Sequence, residues 1–124
     1  MDTHFDLIAI GGGSGGLAVA EKAAEHGKRA AVIERHKLGG TCVNVGCVPK
    51  KVMWYAANRA EDARHAAEMG IDVELKGIDW AALVDGREGF IAGILDYWNG
   101  YVAGEGITHI QGDARFVDNR TVEV

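Results

Sequence analysis

The first thirty-four residues constrain the fold more than any other stretch of this chain. A short apolar run, a cluster of glycines, an alanine-rich segment and a second apolar run follow one another without a break. Phe5 to Ile10 (FDLIAI) reads as a buried strand. Gly11-Gly12-Gly13-Ser14-Gly15-Gly16 then places five glycines in six residues, and the pattern turns helical from Leu17 to His26. Gly27 suits the left-handed stop of that helix, and Arg29 to Glu34 (RAAVIE) is a second buried strand. Strand, tight turn, helix and strand in so short a span form a βαβ unit, which requires a parallel pair with a right-handed crossover. The expected class is α/β, a Rossmann-like layered domain.

The turn itself has a chemical reading. Gly11, Gly13 and Gly16 satisfy G-x-G-x-x-G between a strand and a helix. The first glycine permits the turn, the second admits a pyrophosphate to the backbone, and the third lets helix and strand pack closely. Free N–H groups at the helix start would meet the phosphates, and Ser14 could add a hydroxyl. Glu34 closes the second strand, where a carboxylate can accept from a ribose hydroxyl. It suits NAD or FAD and opposes the 2′-phosphate of NADP at this turn. The competing reading is an ordinary glycine-rich βα turn, which leaves five glycines in six positions unaccounted for.

Both cysteines of the chain lie in the segment Gly40-Thr41-Cys42-Val43-Asn44-Val45-Gly46-Cys47-Val48-Pro49, which also holds the only proline. Two thiols so close are a redox pair, part of a metal site, or small apolar core residues. A zinc site usually needs four protein ligands, and only His36 lies near. Residues five apart in a regular helix are separated by about 7.5 Å along its axis, whereas a disulfide needs Cα atoms within roughly 4.4–6.8 Å. Bonding Cys42 to Cys47 therefore demands a broken helix. Gly46 tolerates the break, and Pro49 removes the N–H that would have bonded back to Val45. Cys42, near the helix start, is expected to have a lowered thiol pKa, with Lys50 and Lys51 close by; Lys51 reads equally well as a solvated surface residue.

Lys50 to about Met69 reads as a helix closed by Gly70, and Ile71 to Lys76 as irregular or extended. Asp79 looks like a cap. Trp80, Leu83, Val84, Arg87, Ile91, Ile94, Leu95, Trp98 and Val102 then follow a 3.6-residue stripe, weakened by Gly86, Gly89 and Gly93 and ended by Gly104 and Gly106. Ile107 to Gln111 is a third strand, and Ala114 to Val117 with Thr121 to Val124 form a hairpin. At 124 residues the chain holds one modest domain. A net charge of −5 gives no reason to expect nucleic acid. No apolar run approaches the roughly 20 residues a membrane span needs. The acidic opening, Met1-Asp2-Thr3-His4-Phe5-Asp6, reads as neither signal nor transit peptide, which makes a cytoplasmic protein the default. Structural disulfides are rare in that compartment, so a close pair there points to catalysis or metal.

The run from Gly39 through Cys42, Cys47, Pro49, Lys50 and Lys51 to Val52-Met53-Trp54 resembles the redox-active segment of the flavin-dependent pyridine-nucleotide disulfide oxidoreductases. The Pro-Lys-Lys continuation is similar to the branch acting on glutathione disulfide and its trypanothione relative. The opening Asp6–Leu17 and the closing Gly112–Val117 are similar too. The resemblance implies a three-layer FAD-binding domain, a parallel sheet with helices and a β-meander, with Gly11, Gly13, Ser14, Gly15 and Gly16 at the FAD pyrophosphate and Glu34 at its ribose. Thr41, Cys42 and Lys50 would also touch the cofactor, and the backbone of Ala114 would meet the adenine. It further implies that Cys47 faces the flavin, that Cys42 attacks glutathione disulfide, and that Lys50 favours negative charge on the ring.

The substrate would lie near Ser14, Lys22 and Trp98. Two departures stand out: Trp98 occupies a position where relatives often carry tyrosine, and Glu21-Lys22 one where they carry basic residues. The resemblance also implies NADPH, bound by a domain outside this chain, and a homodimer whose interface domain brings a His–Glu acid–base pair. The chain stops inside a predicted strand, so residues 1–124 read as the N-terminal part of an FAD-binding domain, incomplete at its C-terminus and inactive alone. Two other readings compete: the same fold with another disulfide substrate, and a dinucleotide-binding module without redox chemistry.

Overall fold

Strands β1 (Leu7–Ile10) and β2 (Ala30–Glu34) pair in parallel, with Leu7 opposite Ala30 and Ile10 opposite Ile33. β3 (Thr108–Gln111) joins the other side of β2, also in parallel, giving a sheet of order β1-β2-β3. This is a computed structural model, and it describes residues 3–124; Met1 and Asp2, which open the acidic N-terminus, lie outside the described residues. The central position of β2 explains its unbroken apolar sequence, because Ala30 to Ile33 are buried on both faces.

Helix α1 (Ser14–Glu25) crosses between β1 and β2. It starts three residues before the predicted Leu17. The reason is steric: a Cβ on Gly16 would overlap the carbonyl oxygen of Gly11, so the first helical turn lies directly on the end of β1. Glycine disfavours helix interiors, and here that preference yields to packing.

The cysteine segment forms a short helix α2 (Gly40–Asn44), breaks at Val45–Gly46, and resumes as α3 (Cys47–His65). A 3-10 turn, Ala66–Met69, carries it to Gly70. α3 thus begins at Cys47 and not at the predicted Lys50. Pro49 falls inside its first turn, where a missing N–H costs nothing. Residues 71–79 follow without strand pairing.

Helix α4 (Trp80–Gly104) is capped by Asp79, whose carboxylate accepts from the Ala82 N–H at 3.0 Å. Ile91 and Val102 are buried, and the stripe residues between Leu83 and Trp98 are half-buried around them; only Trp80, in the first turn, stands out in solvent. Each buried Ile or Val contributes roughly 1.5–3 kcal/mol, enough to hold a helix that its glycines weaken.

Val102 and Trp98 meet Leu17 and Ala20 of α1 over Ala9, Ala30 and Val32 of the sheet, with Leu38 and Ile107 completing the core. The opposite face carries Ile8 and Ile10 beside Phe116 and Val122. Those two belong to a hairpin of β4 (Arg115–Phe116) and β5 (Val122–Glu123), shorter than predicted. Helices on one face and a hairpin on the other give the expected layered α/β arrangement, although the expected β-meander is only this two-stranded hairpin among the described residues. Ile10 on the sheet and Val19 on α1 remain about half exposed. No helix among the described residues is long and apolar enough to cross a membrane.

Candidate functional site

The glycine turn is built as its spacing predicts. Gly11 has φ +102°, a left-handed value that a side chain resists, and Gly16 packs on its carbonyl. A Cβ on Gly15 would meet nothing within 4 Å, and one on Gly13 only the Gly40 Cα at 3.8 Å. No side chain caps α1, and its first turn carries no acid. Its N–H groups therefore face an open cradle at the positive end of the dipole, which fits a diphosphate. Ser14 is exposed at the rim.

Glu34 sits across this cradle with both carboxylate oxygens engaged. Oε2 accepts from Gly12 N–H at 2.7 Å and Oε1 from His36 N–H at 2.8 Å. Burial pushes its pKa up, but the backbone N–H groups of His36, Gly12 and Arg35 outweigh it and hold the carboxyl below its ordinary value. The side chain is fixed, ionised at neutral pH, and keeps lone pairs for a further donor. A depression of about 290 Å3 joins it to Gly11, Gly112 and Ala114. Gly11, Glu34 and Ala114, a hundred residues apart in the chain, thus share one hollow that suits a nucleoside.

The cysteine segment is fastened to the same turn. Gly39 N–H donates to the Gly12 carbonyl at 2.7 Å. Gly40, at φ +59°, lies so close that a Cβ would reach 2.8 Å from the Gly13 Cα. Asn44 Nδ2 donates to the carbonyls of Leu38 at 3.0 Å and Gly40 at 2.9 Å, locking α2 onto its own entry loop. Thr41 and Asn44 line, with Glu34 and Gly40, a cleft of about 810 Å3.

The break after α2 brings the two sulfurs together. A Cβ on Gly46 would come within 2.8 Å of the Thr41 carbonyl oxygen, and the first α3 bond runs from Lys50 N–H to Gly46 at 3.1 Å. The ladder therefore breaks at Val45–Gly46, one turn before Pro49. Both thiols are free; Cys42 is half-buried and Cys47 exposed, which removes the reading of two buried apolar cysteines. The expectation of a lowered Cys42 pKa is corrected. Its hydrogen bond with the Cys47 side chain, then burial, then the Cys47 charge push the Cys42 thiol up. The Cys47 backbone N–H and the Lys50 ammonium act in the opposite sense and do not prevail. The physical reason is the partner sulfur: the bond to Cys47 favours the protonated Cys42 thiol more than the nearby N–H and ammonium favour its charge.

Of the residues placed near substrate, Ser14 stands at the cradle rim, and the other two are engaged elsewhere. Lys22 Nζ is paired with Glu25 at 2.6 Å, and Trp98 packs against the core. Glu21 accepts from the Tyr101 hydroxyl at 2.5 Å, tying α1 to α4; that bond pushes the phenol up to about 12. No group of metal-binding side chains occurs among the described residues. Gly12 and Asn44, which hold turn and thiols together, were not singled out from the sequence. Neither was Phe90, which lines an apolar groove together with Cys47. An exposed aromatic off the α4 stripe was the signal for it.

A glycine cradle fastened to a thiol pair narrows the class of protein, and sequence comparison names it. The family model described as pyridine nucleotide-disulphide oxidoreductase matches residues 5–123, and the chain belongs to that family. It is similar to glutathione reductase of Debaryomyces hansenii (41% identity over 128 residues, 97% of this chain, 26% of the relative). It is likewise similar to glutathione reductase of Schizosaccharomyces pombe (42% over 122 residues, 97% and 26%) and of Yarrowia lipolytica (42% over 113 residues, 88% and 24%). The chain spans about a quarter of the length of these relatives.

Proposed function

We propose that residues 1–124 form the N-terminal part of the FAD-binding domain of a glutathione-disulfide reductase that draws its electrons from NADPH. One observation carries this reading: the glycine turn and the thiol pair are a single unit, joined by the Gly39–Gly12 hydrogen bond and the Gly40–Gly13 contact. FAD, when bound, would supply the exchange of an electron pair with the dithiol. The NADPH and dimer-interface domains would lie outside this chain, the assembly would be a cytoplasmic homodimer, and this chain alone would not turn over.

The chain's own residues have distinct tasks. The α1 N-terminus and Gly13, Ser14 and Gly15 bind the pyrophosphate, Glu34 orients the ribose, and Ala114 borders the adenine. Thr41 closes the cleft. Cys47 presents its sulfur to the cofactor side, and Cys42 exchanges with glutathione disulfide. Cys42 needs help to ionise, because its bond to Cys47 keeps it protonated; Lys50 supplies positive potential. Trp98 and Lys22 would border the substrate, Lys22 after release from Glu25.

Two measurements test this. Titrating the protein with FAD should give saturable quenching of flavin fluorescence, abolished by Gly13→Val, which fills the cradle. Incubating the Cys47→Ser protein with glutathione disulfide should give a mixed disulfide at Cys42. Absence of flavin binding overturns the cofactor assignment, and an unmodified Cys42 overturns the substrate.

A further inference from the structure

We propose that Arg35 and Asp113 form a strap over the nucleoside hollow, with the Arg35 guanidinium stacked on the purine base of the bound dinucleotide and Asp113 holding it in place. This rests on the FAD reading above and adds two residues to it. The hollow, about 290 Å3, lies across the carboxyl ends of the three parallel strands, which close at Ile10, Glu34 and Gln111. Ligands of parallel sheets bind at those ends. Arg35 directly follows β2, Asp113 follows shortly after β3, and both line the hollow. Arg35 Nη1 stands 3.6 Å from Asp113 Oδ1, an ion-pair distance, so the two side chains bridge from one strand end to the next.

The backbone fixes the span. Gln111 Nε2 donates to the carbonyls of Arg35 at 2.8 Å and His36 at 3.0 Å. Gly112 N–H donates to the Glu34 carbonyl at 3.0 Å. The two anchors are thus held at a set separation, and the side chains alone are free to rearrange. These side chains are 64% and 80% exposed. An ion pair so open to water contributes little by itself, so it yields readily to a ligand. Glu34 keeps its oxygens on the Gly12 and His36 N–H groups, which leaves Asp113 to meet the guanidinium.

Three features make the occupant a base. With the ribose at Glu34, the unit that reaches on toward Ala114 is the base. The Arg35 charge is balanced by Asp113, so the strap does not draw a phosphate, and the carboxylate repels one. Finally, a guanidinium is planar, delocalised and weakly hydrated, and it stacks on a flat ring where an ammonium does not. Ile10, half exposed within the hollow, offers apolar contact to the same ring. A purine presents a larger face to both than a pyrimidine.

The test is titration with FAD, followed by flavin fluorescence, in the unmodified protein and three variants. Arg35→Ala should raise the Kd for FAD about five- to tenfold. Arg35→Lys, which keeps the charge and loses the plane, should bind as weakly as Arg35→Ala, and the loss should persist at high salt. Asp113→Ala should raise the Kd about two- to threefold, with no further effect in the Arg35→Ala background. In competition, ADP should displace FAD at about fivefold lower concentration than UDP, and Arg35→Ala should close that gap. An unchanged Kd in Arg35→Ala overturns the strap and leaves the cofactor reading standing. Recovery in Arg35→Lys, or a loss that fades at high salt, shows that Arg35 acts by charge and overturns the stacking. Equal displacement by ADP and UDP in the unmodified protein overturns the purine assignment. Absence of FAD binding in the unmodified protein overturns the cofactor reading, and the strap with it.

Discussion

The chain concentrates glycine in two regions for opposite reasons. Around the glycine cradle, Gly12, Gly16, Gly39, Gly40 and Gly46 each sit where a Cβ would collide with a neighbour. Along α4, Gly86, Gly89, Gly93 and Gly100 have nothing within 4 Å of that position. In the first set Gly16, Gly40 and Gly46 would meet backbone, and Gly12 and Gly39 the side chains of Leu38 and Val43; the Gly40 contact brings two motifs together. The second set fill no packing role in this structure and only weaken a helix that Ile91, Val102 and Trp98 hold down. A count of glycines cannot separate these cases; the space around each Cα can.

Substitution should widen the contrast. Gly16→Ala forces the start of α1 away from β1 and is expected to cost about 3 kcal/mol or more, read from the denaturant midpoint. Gly15→Ala, one residue earlier, should change stability by no more than about 1 kcal/mol. Equal effects at the two positions would break the distinction. Glu34→Ala deletes two charge-assisted bonds to Gly12 and His36 N–H and should cost about 1–3 kcal/mol. Because the folded-state pKa of Glu34 is lowered, its contribution is present above the ordinary carboxyl value of about 4.3. It is lost as pH falls through the folded value, so the variant should show a flatter acid limb in stability against pH.

Smaller effects are expected on the helical side, with reversed sign. Gly89→Ala and Gly93→Ala should each stabilise by about 0.5–1 kcal/mol; destabilisation would mean that α4 has a close neighbour the described residues lack. At the thiol pair, Cys47→Ala removes the leading cause of the raised Cys42 pKa. Alkylation of Cys42 should then begin at lower pH than in the unmodified protein. A profile that stays put would show that burial alone sets it.

Much of this was legible in the sequence because it rests on local pattern. The βαβ unit follows from two short apolar runs around a glycine turn. The α4 stripe follows from its period, except at Trp80, which lies in the first turn before the helix reaches the core. The Asp79 cap follows from residue type. What stayed hidden is tertiary or steric. The start of α1 at Ser14 depends on contact with Gly11 across the turn. Gly46 and Pro49 announced a break in the cysteine segment, but its place, and hence which cysteine meets the α3 dipole, depends on the clash with Thr41. The Tyr101–Glu21 bond joins residues eighty positions apart, and no local signal carries it. Ile71 to Lys76 alternates like a strand yet pairs with nothing among the described residues, because alternation supplies a face and not a neighbour.

The account turns on the cradle and the sulfurs serving one ligand. Its most direct test is an anaerobic titration of the reduced protein with oxidised FAD, followed at wavelengths beyond the flavin's own absorption. A saturable thiolate–flavin absorbance should grow there, persist in Cys42→Ser and vanish in Cys47→Ser. Saturable flavin binding without any such absorbance in the unmodified protein would contradict it.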